Sequence, residues 1–235
     1  MSRKVFTAGE VLAAADVNNF LMNQTVMSFA GTASRTASIP TPVTGMYTHL
    51  EDSAPAPRLE FWNGSAWVSP FGLTLLNTTS FTAQSLVDIT NVFSADFDSY
   101  RIVVSASLTT AVGARLQGRL LLGASPVATN YLSNQVNYNM GGAVFNSVTT
   151  DSTAFSLGFV PNTGGRAISF DLVNPFLATA TGAIGNYVGD TSGGYSGLGF
   201  TGGFHNVSTS YNGFRILPTT STMTGTIRIY GYRNS

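Results

Sequence analysis

Between residues 78 and 235 the sequence is broken about every 10 to 15 residues by Gly, Asn, Ser or Pro, and the pieces between breaks are short and β-prone. Segments such as YRIVVSASL, RAISFDLV and GTIRIYGYR carry the pattern. In the last of these, Ile227, Ile229 and Gly231 point one way while Arg228, Tyr230 and Tyr232 point the other, because side chains alternate along a strand. The spacing predicts a C-terminal antiparallel β-sandwich, jelly-roll-like, over residues 78–235. No ordered internal repeat is visible, which disfavours a propeller or a solenoid.

A chain of 235 residues can bury about 70% of the surface its unfolded form exposes. Hydrophobic residues make up 43%, enough for a core, while charged residues make up only 9%, against roughly 25% in an average domain. The surface is therefore polar but mostly uncharged. Eleven basic and eleven acidic residues cancel. That balance lacks the basic footprint of nucleic-acid binding and of a membrane-surface helix, and it puts little repulsion between copies of the chain. Ten of the basic residues are Arg, with Lys4 the single Lys. Cysteine is absent, so disulfides and thiolate metal sites are excluded. The basic start MSRK is not followed by an apolar stretch of the signal-peptide kind. No run approaches the ~18 apolar residues of a membrane span. The expectation is synthesis in the cytoplasm and work within an assembly.

Residues 1–29 read differently from the rest. TAGEVLAAADVNNFLMNQ opens with Thr7 and Glu10 in capping-box spacing, and Asp16 can cap a second helical start. Val17, Phe20, Leu21 and Met27 then fall near one face, while Met22, Val26 and Phe29 fall on others. A short helix that is apolar on several sides is marginal alone. The segment is predicted to be a helical attachment element, with Val17, Phe20, Leu21 and Met27 at an attachment or oligomer interface. Residues 30–77 are predicted to be a small β-module and connector. Pro40 and Pro42 oppose a helix there, and Asn63-Gly64 in EFWNGSAWV separates two aromatic β-prone runs. Trp62 and Trp67 flank that turn, either as the core of the module or as an exposed sugar-stacking platform. FGLTLLNTT, residues 71–79, is the expected joint, either a short strand or a packed connector.

Chemistry-bearing patterns are sparse. His49 and His205 stand in no metal-ligand spacing. Ser196 in GYSGLG lacks the glycine spacing of a nucleophile elbow. Asp96 with Asp98, and Glu51 with Asp52, are close pairs that turn duty explains as well as glycan hydrolysis does. The Gly-rich stretches NTGG and DTSGG lack the Lys of a phosphate loop. No catalytic, metal or cofactor-binding residue is predicted, and the chain is not expected to be an enzyme. What remains is a set of Tyr- and Asn-rich segments suited to contact. Tyr131, Tyr138, Tyr187, Tyr195, His205 and Tyr211 are the candidate surface-recognition residues. The competing reading packs these rings inside the sandwich or in a subunit interface.

The N-terminal residues carry a resemblance. The start TAGEVL with ADVNNFL, the PVTGMYTHLED turn and the WNGSAWV run together resemble the N-terminal region of minor tail proteins of tailed phages that infect actinobacteria. They cover about the first 70 residues, and the closing GTIRIYGYRNS is similar to the last strand of C-terminal β-domains in such tail-tip and fibre proteins. The resemblance implies a virion protein, commonly a homotrimer. Its N-terminal segment would join tail or baseplate proteins, and its C-terminal domain would contact the host surface, such as a cell-wall glycan. The chain has none of the extended repeats of long fibres, so a short tip is expected. A head or baseplate decoration protein without a receptor role shares these features, and a glycan-degrading tail enzyme ranks third.

Overall fold

The computed structural model describes residues 26–51, 57–70, 72–109, 114–139, 142, 144–160, 166–190 and 196–232, with 9, 11, 13 and 14 besides. Val17, Phe20 and Leu21 of the expected helical face lie outside the described residues. The chain divides into two compact units, Met1–Gly72 and Leu73–Ser235. It is mainly β: among the described residues, strands are joined by a single helix of more than one residue.

In the first unit a four-stranded sheet runs in the order β1 (Met27–Phe29), β2 (Tyr47–Leu50), β3 (Arg58–Trp62), β4 (Trp67–Val68). β1 and β2 are parallel, with Met27 opposite Thr48, and the other pairs are antiparallel. Parallel neighbours need a crossover, and α1 (Thr32–Ser38) supplies it. The Ser34 hydroxyl closes the helix start, accepting from the Gly31 amide at 3.1 Å and donating to the Gly31 carbonyl at 2.9 Å. The helix ends before Pro40. Met27 is thus a strand residue, which corrects the expectation of a helix running through position 29.

Arg35, on the buried side of α1, reaches across to the sheet. Its guanidinium donates to Glu60 and lies 4.8 Å from the Trp67 ring centre. Glu60 also accepts from Arg58 Nε at 2.6 Å. Trp62 stands opposite Trp67 with ring centres 5.6 Å apart. Both Trp rings are half-buried, each against the other and Trp67 also against Arg35. Asn63 shapes the connection, its side-chain oxygen accepting from the Ser65 and Ala66 amides at 2.9 and 2.8 Å. Gly64 there has φ of +106°, a value that L side chains avoid.

The second unit begins at Leu73, earlier than the expected boundary at 78. The expected joint is itself a strand, β5 (Leu73–Gln84), paired with the last strand from its first residue, Leu73 opposite Tyr232. The remaining strands are β6 (Val87–Ile89), β7 (Ser99–Leu108), β8 (Arg115–Leu122), β9 (Ser125–Pro126), β10 (Tyr131–Asn139), β11 (Val144–Ser152), β12 (Phe155–Phe159), β13 (Arg166–Val173), β14 (Thr181–Asp190), β15 (Ser196–His205), β16 (Gly213–Pro218) and β17 (Met223–Tyr232). They form an eight-stranded sheet, β11-β10-β15-β14-β13-β7-β17-β5, and a five-stranded one, β12-β8-β16-β6 with β9 on β8. Every pair in this unit is antiparallel.

One apolar cluster draws on both sheets. β7 alternates strictly, with Tyr100, Ile102, Val104, Ala106 and Leu108 buried. β17 buries Ile227, Ile229 and Gly231, as its alternation predicts. β8 and β16 supply Leu116, Leu120, Phe214 and Ile216 from the smaller sheet. Phe170 and Phe214 meet at 5.6 Å between ring centres. Each fully buried side chain of this size contributes about 1.5–3 kcal/mol.

Candidate contact surface

Strand parity decides what the C-terminal unit shows to its surroundings. On β10 the odd residues Tyr131, Ser133, Gln135 and Asn137 are buried. Their neighbours across the ladder, Thr201 and His205 on β15 and Thr181 and Tyr187 on β14, are buried too. This inner face is largely polar, and β12 lies against it. Ser156 donates its amide to the Ser133 hydroxyl at 3.1 Å and its own hydroxyl to Gln135 at 3.2 Å. Thr201 donates to the Ser156 carbonyl, and Gln135 donates to the Tyr187 hydroxyl at 2.8 Å. Gly199 makes room for that ring, since a Cβ there would lie 2.4 Å from Tyr187 Cζ.

The opposite face carries the apolar side chains. Val144, Tyr138, Leu198 and Val188 stand in register across four strands. Phe200 follows, between Val136 and Asn186, then Ile184 and Phe204. Seven of these side chains are between 43% and 65% exposed. The rings of Tyr138 and Phe200 meet edge-on at 6.4 Å. The outward residues of β10, β14 and β15 whose side chains are described are uncharged, and Asp190, the last residue of β14, is the acid that shares their parity. The face ends at β13, where Asp171 accepts a two-pronged contact from Arg101 at 2.8 and 2.7 Å and a third bond from the Tyr232 hydroxyl at 2.9 Å.

The six candidate recognition residues therefore separate. Tyr138 is on the exposed face, and Tyr195 lies outside the described residues. Tyr131, Tyr187, Tyr211 and His205 are buried, which corrects their reading as surface contacts. Each ring has an internal task. Tyr131 donates to the Val127 carbonyl at 3.1 Å and accepts from the Leu120 amide at 2.9 Å, and burial raises its pKa. Burial pushes Tyr187 up to about 12, with the Gln135 bond opposing the rise. The apolar residues that do form the exposed face were missed, although Leu198, Phe200 and Phe204 alternate with Gly and Thr in GLGFTGGF. Of the acids found in close spacing, Asp52 lies outside the described residues. Asp96 accepts from the Ser94 hydroxyl at 3.1 Å in a turn, and Glu51 accepts from the Ser28 hydroxyl at 2.7 Å. Asp88 is held by a two-pronged contact from Arg215 at 2.5 and 2.6 Å.

His205 is the histidine of the inner face. Its Nδ1 is 3.2 Å from the Tyr211 hydroxyl, and Nε2 makes no hydrogen bond of normal geometry. Burial lowers its pKa, and the nearby Thr129 backbone only partly opposes that. A histidine whose folded pKa is lowered takes up its proton in the unfolded chain first. Stability should thus be full above pH ~6.5, fall as the pH drops below that value, and level off beneath the folded pKa. The loss is at most about 1.4 kcal/mol per pH unit inside that window. Urea midpoints between pH 7.5 and 5 should show this slope, and His205→Gln should flatten it. An equal slope in the variant would remove His205 as the cause.

No family model matches the sequence, and comparison with curated proteins gives no match.

Proposed function

We propose that this chain is a structural component of a phage virion, a homotrimeric minor tail protein of the tail tip or a short fibre. In this reading its C-terminal unit is a jelly-roll-like sandwich that contacts the host surface. The observation that carries the fold reading is a nested pairing scheme. Of the eight strands β5, β6, β7, β8, β12, β13, β16 and β17, first pairs with last (β5 with β17) and second with seventh (β6 with β16). Third pairs with sixth (β7 with β13) and fourth with fifth (β8 with β12). An eight-strand ribbon rolled into two sheets pairs in that way, and viral and lectin domains use it. On this scheme β10–β11 and β14–β15 are two inserted pairs that widen one sheet. Architecture alone does not choose a function. The choice of a tail protein rests on the N-terminal resemblance, and the choice of contact over chemistry on the wide apolar face. Asp88 and Asp171, each locked to an Arg, are poorly placed to serve as a hydrolytic acid pair.

Truncation tests the attachment role. The cut belongs at residue 25, because β1 begins at Met27 and pairs with β2. Particles assembled with chain lacking residues 1–25 should contain none of it, while the truncated chain stays soluble. Labelled antibody against the full chain should mark the tail end of normal particles. Normal incorporation of the truncated chain would refute attachment through this segment, and label confined to the head would refute a tail location. Binding of the purified full chain to host envelopes supports recognition over decoration, and failure to bind favours decoration.

A further inference from the structure

On β10, β14 and β15 the usual distribution of polarity is reversed. Ser133, Gln135, Asn137, Thr181, Thr201 and His205 face inward and are buried, while Leu198, Phe200, Phe204, Ile184, Val188 and Tyr138 face outward. A slip of one residue exchanges the two faces of a strand. In a lone chain, hydrophobic burial alone would favour such a slip, carrying the apolar set inward. The observed register is the favourable one when the outer face is itself covered.

We propose that this face is where copies of the chain meet, apolar face against apolar face. Three features select a copy of the chain over other occupants. The first is charge: the described side chains of the face carry none, Asp190 at the end of β14 is the acid that shares their parity, and the whole chain is neutral, so like faces meet little repulsion. The second is area. Two Phe, one Tyr and four aliphatic side chains at these exposures present on the order of 700 Å², taking 150–250 Å² for a whole aromatic, close to the ~800 Å² that each partner buries in a standard interface. The third is chemistry. Among its described side chains the face offers a sugar only Asn134, Asn186 and the Tyr138 hydroxyl, and it offers an anionic lipid surface no Lys or Arg. The proposal gives the self-association in the functional reading a specific surface. It rests on the face alone, so a chain found off the virion leaves it standing, and a monomer found on the virion ends it.

Sedimentation velocity of the full chain, at about 1 to 50 μM, is the test. The wild type should sediment as an oligomer of the 24.7 kDa chain. Phe200→Asp, which sets like charges together at the centre of the contact, should sediment as the monomer. Phe200→Ser adds no charge and removes a central aromatic anchor, so it should weaken association about tenfold or more. Thr78→Asp, on β5 at the far edge of the same sheet, should keep the wild-type mass. Matching far-UV circular dichroism establishes that each variant is folded, and Phe200→Ser carries the test should Phe200→Asp fail that check. A wild type that stays monomeric throughout, or folded Phe200 variants that keep the wild-type mass and affinity, would overturn the proposal.

Discussion

Glu60→Ala should unfold the N-terminal unit at far lower denaturant than the wild type, with a loss of about 3–5 kcal/mol. Glu60 is the single carboxylate serving two guanidinium groups, those of Arg35 and Arg58. Arg35 is 7% exposed, and its Nε already lacks a partner. Removing the carboxylate leaves that charge buried between the Trp67 ring and the like charge of Arg58. Burial and the neighbouring Arg58 charge already lower its pKa, the direction expected where the charged form is poorly solvated. Removing both charges is a different matter. Arg35→Met with Glu60→Leu replaces the pair by apolar volume and should recover most of the loss, since the Coulombic gain of a buried pair barely offsets its desolvation. The readout is built into the unit, because Trp62 and Trp67 are the only Trp residues of the chain. Tryptophan emission during a urea titration thus follows this unit alone. An emission midpoint that Glu60→Ala leaves in place would show that the ion pair is dispensable.

That unit also shows what local reading can and cannot see. The pairing of Trp62 with Trp67 around Asn63 was legible because turn chemistry and β-prone aromatics lie within seven residues of each other. The helix Thr32–Ser38 was not. TASRTAS has no apolar period, and its one inward side chain is an arginine whose partner is 25 positions away. Met27 looked helical because it stood at a fitting interval from Phe20. Its strand pairing with Thr48 comes from a sequence-distant partner.

The C-terminal unit divides along the same line. β7 and β17 were legible, since each has one apolar face and packs it on the core. The recognition residues were not. In NYLSNQVNYN the tyrosines sit among polar residues, which suggested exposure, yet Tyr131 and Tyr138 have opposite parity and only Tyr138 is exposed. Which face turns inward is fixed by β12, whose Ser156 bonds Ser133 and Gln135 from more than 20 positions away. No local pattern carries that information. Even with the strand known, the rule that apolar faces turn inward would have chosen the wrong side of β15.

The core of the second unit should be most sensitive where Phe214 meets Gly118. Phe214 is fully buried on β16, and Gly118 lies beneath it on β8, opposite Ile216. A Cβ at 118 would fall 2.3 Å from Phe214 Cζ and 2.9 Å from Leu157 Cδ1. Phe214→Ala should cost about 3–5 kcal/mol, the transfer energy of the ring plus the cavity left behind. Gly118→Ala should cost about 1–3 kcal/mol by the opposite route, because a ring packed between two sheets has little room to shift. The two changes share one volume, so their effects should not add. In the Phe214→Ala background the methyl at 118 enters the vacated space, so its clash with the ring vanishes and the end of the Leu157 side chain can shift into the cavity away from it. The double variant should therefore be no less stable than Phe214→Ala alone, and slightly more stable if the methyl recovers contacts there. The coupling should reach about 1–3 kcal/mol, measured as urea midpoints by circular dichroism at about pH 8, above the range in which a histidine of ordinary pKa takes up its proton. Simple additivity would mean that the two sheets move apart to admit the methyl, and that the space between them is set by the strands rather than by the ring.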